Sequence, residues 1–191
     1  MGLSKPSHVI QEIVAAYLQR LYTSPVKTKA ATSCVITALG NLTGQKLSNV
    51  KFINQDSLMA FGLFGLLFGG TVPHYFYKYV RLITKNPWGI LLIERLLYTP
   101  IFQGATLYLL AWLEGKSHEA SMKQTQSLYV PVLAANLKYL TLLQFLNIKY
   151  VPPMLHVLVL NLISYFWTTF LAHLWIKSMK DRSSSKVSKK T

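Results

Sequence analysis

Charge is spread unevenly along this chain, with long uncharged runs between short basic segments. Residues 57–77 form a run of 21 without a charge, 96–113 one of 18, and 150–176 one of 27. A helix crosses the roughly 30 Å hydrocarbon core of a bilayer in about 20 residues, so each run is long enough to span. A weaker run of 16, residues 30–45, contains Thr32, Ser33, Thr37, Asn41 and Thr43. Alone it is marginal, but beside three stronger runs it reads as a fourth membrane helix. Residues 124–148 are apolar in two pieces, split by Lys138 and carrying Asn136 and Gln144. A lysine at the bilayer centre costs about 2.5 to 3.5 kcal/mol on insertion scales. This segment therefore reads as a helix lying at the interface or partly inserted, ended by Tyr150-Val151-Pro152-Pro153, where prolines start helices well and continue them badly. Near the N-terminus, Val9, Ile10, Ile13, Val14, Tyr17, Leu18 and Leu21 recur at helical spacing among polar residues, the pattern of an amphipathic helix.

The predicted fold class is an all-α integral membrane protein, a single membrane domain over residues 1–191. It has four transmembrane helices at about 28–45, 58–78, 94–113 and 150–176, and an amphipathic helix at about 8–22. An interfacial or partly inserted helix precedes the last span, and a disordered basic tail covers 177–191.

Composition supports a lipid solvent. Apolar residues make up 51% and charged residues 14%, against about 25% charged in an average soluble domain. One cysteine, Cys34, excludes an intrachain disulfide and a cysteine-based metal cluster. The net charge of +14 would suit nucleic acid in a polar chain, but high hydrophobicity points it to a membrane surface and away from nucleic acid. With four spans, the N-terminus, the middle loop and the C-terminus share a side holding 14 basic residues, and the opposite loops hold four. The positive-inside rule then places both termini in the cytosol. The apolar stretch near the N-terminus is interrupted by charge, so it is no secretory signal; a mitochondrial presequence is disfavoured by Glu12 and the scarcity of arginine.

Signals for catalysis are poor. His8, His74, His118, His156 and His173 show no ligand spacing, no glycine-rich phosphate loop follows a strand, and no nucleophilic triad pattern occurs. No catalytic, metal or cofactor residue is assigned, and no cofactor is expected. The spans carry small and neutral polar residues instead. Gly40 and Gly44 form one Gly-x-x-x-Gly pair and Gly65 and Gly69 another, with Gly62 one turn earlier; such residues let helix backbones approach closely in lipid. Ser33, Thr37 and Asn41 line one face of the first span, and Asn161, Ser164 and Thr168 one face of the last. Two readings stay open for these faces: hydrogen bonding between helices, or a water-filled path lined by both. Such a path would have hydroxyls and amides but no ring of buried charge, so its selectivity would be low, with basic mouths mildly favouring anions. Glu94 and Arg95 stand at the mouth of the third span, either as a pair that cancels charge or as a pore-mouth element.

Several blocks in order resemble a known family. They are Ser24-Pro25 with Thr28-Lys29-Ala30-Ala31-Thr32-Ser33; Ala38-Leu39-Gly40-Asn41 and Gln45; Gly70, His74 and Tyr77; Glu94-Arg95 with Pro100; Leu113-Glu114-Gly115-Lys116; and Asn136, Gln144-Phe145, Asn147, Tyr150-Val151-Pro152 and Phe166-Trp167. Over about residues 17–174 the chain resembles the small four-span membrane proteins of peroxisomes and mitochondria founded on the 22-kDa peroxisomal membrane protein. It departs from the pattern at Gly70-Thr71, where Gly-Pro is frequent, at Leu137, Leu140 and Leu142, where Trp, Trp and Pro are usual, and at His156, where Arg is common. Gly40-Asn41, in place of the Gly-Asp of the mitochondrial branch, favours the peroxisomal one. The resemblance implies a homo-oligomeric, low-selectivity pore for small metabolites in the peroxisomal membrane, with the mitochondrial inner membrane as the alternative site. It also implies delivery by the peroxisomal membrane-protein import receptor, with the Lys27, Lys29 and Arg81, Lys85 regions as candidate signals. A non-conducting scaffold remains the competing reading, and an integral-membrane enzyme a remote third.

Overall fold

The computed structural model describes residues 6–47, 52–166 and 169. Among these residues six helices follow one another: α1 (Pro6–Thr23), α2 (Pro25–Leu47), α3 (Gln55–Ile83), α4 (Pro87–Leu113), α5 (His118–Tyr150) and α6 (His156–Phe166). No strand occurs among the described residues. Helix starts follow local chemistry. The Asn54, Asn86 and Ser117 side chains accept from the backbone N–H groups of Ser57, Trp88 and Ala120, and Pro87 fills the first position of α4. The α4–α5 turn closes on Gly115, whose φ of 85° lies in the left-handed region.

Two helices widen by one residue. Gly65–Gly69 in α3 and Glu94–Tyr98 in α4 form π-helical turns, in which Gly70 N–H bonds the Gly65 carbonyl and Thr99 N–H that of Glu94. Each lies just before a proline, Pro73 or Pro100, which removes a donor and crowds the preceding turn. The widened turns rotate the following residues, and both carry side chains that matter below.

The surface is inside out relative to a soluble protein. Leu66, Leu67, Leu96, Leu97, Ile101, Val130 and Leu142 are exposed, while Ser33, Glu94, Arg95, Gln144, Asn147, His156 and Asn161 are buried. Water would penalise both choices; hydrocarbon favours the first and demands the second. Helices α3, α4 and α5 are each long and apolar enough to cross a membrane. This is an all-α membrane protein.

The helices alternate in direction. Asn41 on α2, Ser57 on α3 and Glu114 after α4 join in one hydrogen-bonded chain, and Thr43 lies 3.3 Å from the Tyr165 hydroxyl on α6, which together define one end of the bundle. At the other end, here called the basic end, Lys29 meets His74, and Arg81 meets His156. There Tyr77, Val80, Ile90, Leu91 and Ile148 form a buried, mainly apolar layer.

The segment expected to lie at the interface or to be partly inserted is part of a helix long and apolar enough to cross a membrane. Residues 124–148 belong to α5, one unbroken helix of 33 residues that passes through Pro131. At 1.5 Å per residue it is about 50 Å long, roughly 20 Å more than the hydrocarbon core, so Lys138 need not sit at the centre. Lys138 is exposed on the face away from buried Leu140, with its ammonium 5.2 Å from the Tyr139 ring centre. A long side chain in that position reaches toward the interface while its stem stays in lipid. The expectation of both termini on one side rested on four crossings. With α5 running the length of the bundle, the start of α2 and the end of α6 lie at opposite ends. The run 150–176 likewise opens with a turn over 151–155 before α6 begins. Thr168 and the tail 177–191 lie outside the described residues.

Candidate functional site

A cavity of about 260 Å³ lies between α2, α3, α4, α5 and α6. Its polar wall consists of Thr37, Asn41, Glu94, Arg95, Thr99, Gln103, Asn136, Gln144, Asn161 and Ser164; Phe61, Phe64, Phe102, Leu140 and Leu160 supply apolar wall. The cavity extends from the level of Pro73 and Gln144 toward the end marked by Asn41 and Tyr165. Beyond Gln144 lies the apolar layer around Tyr77, Val80 and Ile148.

Charge enters through the π-turn of α4. Glu94 and Arg95 retain only 4% and 8% of their surface and pair at 2.8 Å. Both side chains can face inward because the π-turn turns consecutive residues toward the bundle. Thr99 Oγ1 donates to Glu94 Oε1 at 3.0 Å, Arg95 Nη1 to Asn136 Oδ1 at 2.8 Å, and Asn136 Nδ2 to Gln103 Oε1 at 3.4 Å. This network ties α4 to α5 across the wall. The pair sits about 10 Å along the axis from the start of α4. It lines the buried wall, and of the two readings open for it, a pair that cancels charge or a pore-mouth element, the 2.8 Å contact is the pairing. The cavity thus holds one carboxylate and one guanidinium, where hydroxyls and amides alone were anticipated.

The faces of the first and last spans do meet, through a narrower contact than a lined path. Ser33 is fully buried, donates to Asn161 Oδ1 at 3.2 Å, and is not part of the cavity wall. Thr37 lines the cavity, but its hydroxyl lies 2.7 Å from the Ser33 carbonyl and 2.8 Å from that of Phe61, so its proton bridges backbone. Asn41 donates to Ser57 Oγ at 3.0 Å and accepts from Gln45 at 2.7 Å. Asn161 and Ser164 line the cavity, and Thr168 lies outside the described residues. The hydroxyls thus act mainly between helices, while the amides of Asn161 and Gln144 retain free hydrogen-bonding capacity. Asn161 Nδ2, Gln144 Oε1 and the Tyr98 hydroxyl are buried without a partner among the described residues. Groups of this kind require water or a polar solute.

The glycines divide by place. A Cβ on Gly65 would collide with Thr37 Oγ1, one on Gly69 would lie 2.6 Å from Ser33 Oγ, and one on Gly70 2.5 Å from the Lys29 carbonyl. Here α2 and α3 touch backbone to backbone. Gly40 and Gly62 make ordinary contacts, and Gly44 has nothing within 4 Å.

Sequence reasoning missed the contribution of α5. Asn136, Leu140, Gln144 and Asn147 follow at spacings of four, four and three, a stripe that faces the bundle. Lys138 hid that stripe, since it was read as a break and not as a residue on the opposite face.

A family model described as Mpv17 / PMP22 family matches residues 111–172, which include the α5 and α6 walls of the cavity. Peroxisomal membrane protein 2 of Bos taurus is 32% identical over 173 residues, covering 84% of this chain and 88% of that one. The chain belongs to the Mpv17/PMP22 family. A second family member, PXMP2/4 family protein 3 of Dictyostelium discoideum, is 31% identical over 183 residues, 93% of this chain and 98% of its own length. The mitochondrial inner membrane protein Mpv17 of Caenorhabditis elegans is 23% identical over 167 residues, 85% of this chain and 92% of its own. No solved structure matches the chain.

Proposed function

We propose that this family member forms a low-selectivity diffusion path for small metabolites across the peroxisomal membrane, working as a homo-oligomer and carrying out no reaction on what passes. The observation that carries this reading is the cavity. A chain whose outer face suits lipid keeps unpartnered amides and an ion pair around about 260 Å³ of internal space. That is slightly below the roughly 300 Å³ at which drug-sized ligand pockets begin, a scale that suits small metabolites. A carboxylate and a guanidinium on one wall give no net sign, consistent with weak charge selection. The peroxisomal membrane is preferred because relatives named for it reach 32% identity and the mitochondrial relative 23%. The basic end faces the cytosol, since Arg20, Lys27, Lys29, Lys78, Arg81, Lys85 and Lys149 gather there. Lys29 is 6% exposed once folded, so the import receptor would read the Lys27–Lys29 segment in the newly made chain.

Size-graded solute release from liposomes tests the proposal. Small solutes should escape and large ones stay, and planar bilayers should show discrete conductance steps. Sealed liposomes at high protein load would refute it. The apolar layer at Tyr77, Val80, Ile90, Leu91 and Ile148 favours a second reading, a non-conducting scaffold whose polar groups only join helices. That reading requires sealed liposomes together with stable co-purifying partners.

A further inference from the structure

A second cavity, of about 550 Å³, opens at the basic end between the α1–α2 junction, the last turns of α3 and residues 152–154. Lys29, His74, Tyr77, Lys78 and Arg81 line it, and no carboxylate among the described residues does. Among the described residues the ion pairs are Glu94–Arg95 and Glu114–Lys116, so Lys29, Lys78 and Arg81 have no carboxylate partner. Lys29 is nevertheless 6% exposed. An unpaired buried cation such as Lys29 is costly, and the neutral groups around it do little to cancel its charge.

Those neutral groups are arranged to hold the cations in place. Lys29 Nζ lies 3.1 Å from His74 Nδ1. An ammonium only donates, so Nδ1 accepts, His74 is neutral, and its Nε2 carries the proton. His156 is fully buried, and its Nε2 lies 2.7 Å from the Val151 carbonyl, which only accepts. Its Nδ1, 3.2 Å from Arg81 Nη2, is then the acceptor for the guanidinium. Arg81 Nε is buried and without a partner among the described residues. Two ammoniums, one guanidinium and an imidazole N–H therefore line this wall as donors, with the Tyr22 and Tyr77 hydroxyls as the side chains that can also accept.

We propose that this cavity is an anion site that takes a phosphate group, carried either by a lipid headgroup or by a free solute. Three positive charges exceed what one carboxylate would balance, and a doubly charged phosphate with three terminal oxygens suits a set composed almost wholly of donors. The inference stands apart from conduction. A protein that holds phosphate here yet leaves vesicles sealed would keep this site and lose the diffusion path.

The full chain in phosphatidylcholine nanodiscs is titrated with inorganic phosphate by calorimetry, and native mass spectrometry counts phosphatidic acid retained from mixed nanodiscs. Arg81→Gln should weaken the binding seen by about tenfold or more, and Lys78→Gln by several-fold. Lys149→Gln, an exposed cation at the same end but outside the cavity, should leave it unchanged. Saturable phosphate binding alone identifies a free solute, and lipid retention alone a headgroup. If Arg81→Gln does not fold, exposed Lys78 decides the matter. Neither probe binding, or binding indifferent to the cavity variants, overturns the proposal.

Discussion

Adding a single methyl group to different glycines tests whether backbone contact between α2 and α3 holds the bundle together. At Gly70 a Cβ would stand 2.5 Å from the Lys29 carbonyl oxygen and 2.6 Å from both Ala30 N and Cα. All three are backbone atoms, so no rotamer change relieves the clash. Restoring an ordinary contact of about 3.5 Å requires α2 and α3 to part by about 1 Å, a displacement that densely packed interiors resist. Overpacking of this order costs about 1 to 3 kcal/mol, offset by the 0.5 to 1 kcal/mol that alanine gains over glycine in a helix. Gly62 provides the control, since its Cβ would lie 3.8 Å from Cys34 Sγ and 3.9 Å from Ala38 Cβ. Gly62→Ala should therefore be neutral or stabilising by up to about 1 kcal/mol.

Denaturation with sodium dodecyl sulfate from mild detergent micelles, followed by circular dichroism, ranks the variants. Gly70→Ala should unfold at lower denaturant than the parent and Gly62→Ala at equal or higher. Gly44→Ala, which meets nothing within 4 Å, should follow Gly62→Ala. If Gly70→Ala matched the parent, or Gly62→Ala failed as badly, α2 and α3 would not be packed through their backbones.

The ion pair gives a second test: Arg95→Met leaves Glu94 buried without its cation and should cost about 3 to 5 kcal/mol in the same assay, while adding Glu94→Gln should recover much of it. Equal losses in the single and double variants would show that the two charges do not couple. Tyr77→Phe removes the acceptor of the Gln144 amide, a loss of about 1 to 3 kcal/mol, and should raise solute leak through the layer between the two cavities. An unchanged leak in folded protein would remove that bond as a barrier. Lys138→Leu should leave solute release unaltered and improve membrane insertion, because the side chain faces outward; impaired release would place it on the path. Finally, with Cys34 replaced by alanine, cysteines placed at Thr84 and Pro153 should react with an impermeant maleimide from one side of the membrane, and one at Gly115 from the other. Labelling of Thr84→Cys and Pro153→Cys from opposite sides would mean that α5 does not cross.

Helix number and type were legible because lipid imposes a coarse code. An uncharged run of about 20 residues has few alternatives to a spanning helix; the caps at Asn54, Asn86 and Ser117, which fix where the helices start, emerged only with the structure. The path of α5 was not legible by the same rule. A count of charges treats Lys138 as a defect of the whole segment, whereas a helix presents each residue on one face only. Once the 3.6-residue period is applied, Asn136, Gln144 and Asn147 share the inner face, and Lys138 falls outside it.

The site was partly legible for a related reason. Polar residues at helical spacing signal that a face turns away from lipid, but they do not say whether it meets protein or water. Ser33 and Thr37 meet protein, through Asn161 and the backbone of Phe61, whereas Gln144 and Asn161 each keep one unpartnered atom beside open space. The difference lies in the neighbouring helices, and no single segment encodes it. Gln144 shows this most clearly: it lines the inner cavity while its amide donates to Tyr77, which lines the cationic one. One hydrogen bond between α5 and α3 thus spans the partition between the two spaces. A solute moving between them would have to part that bond and the apolar layer around it, so any conducting state must differ from the one described at Tyr77 first.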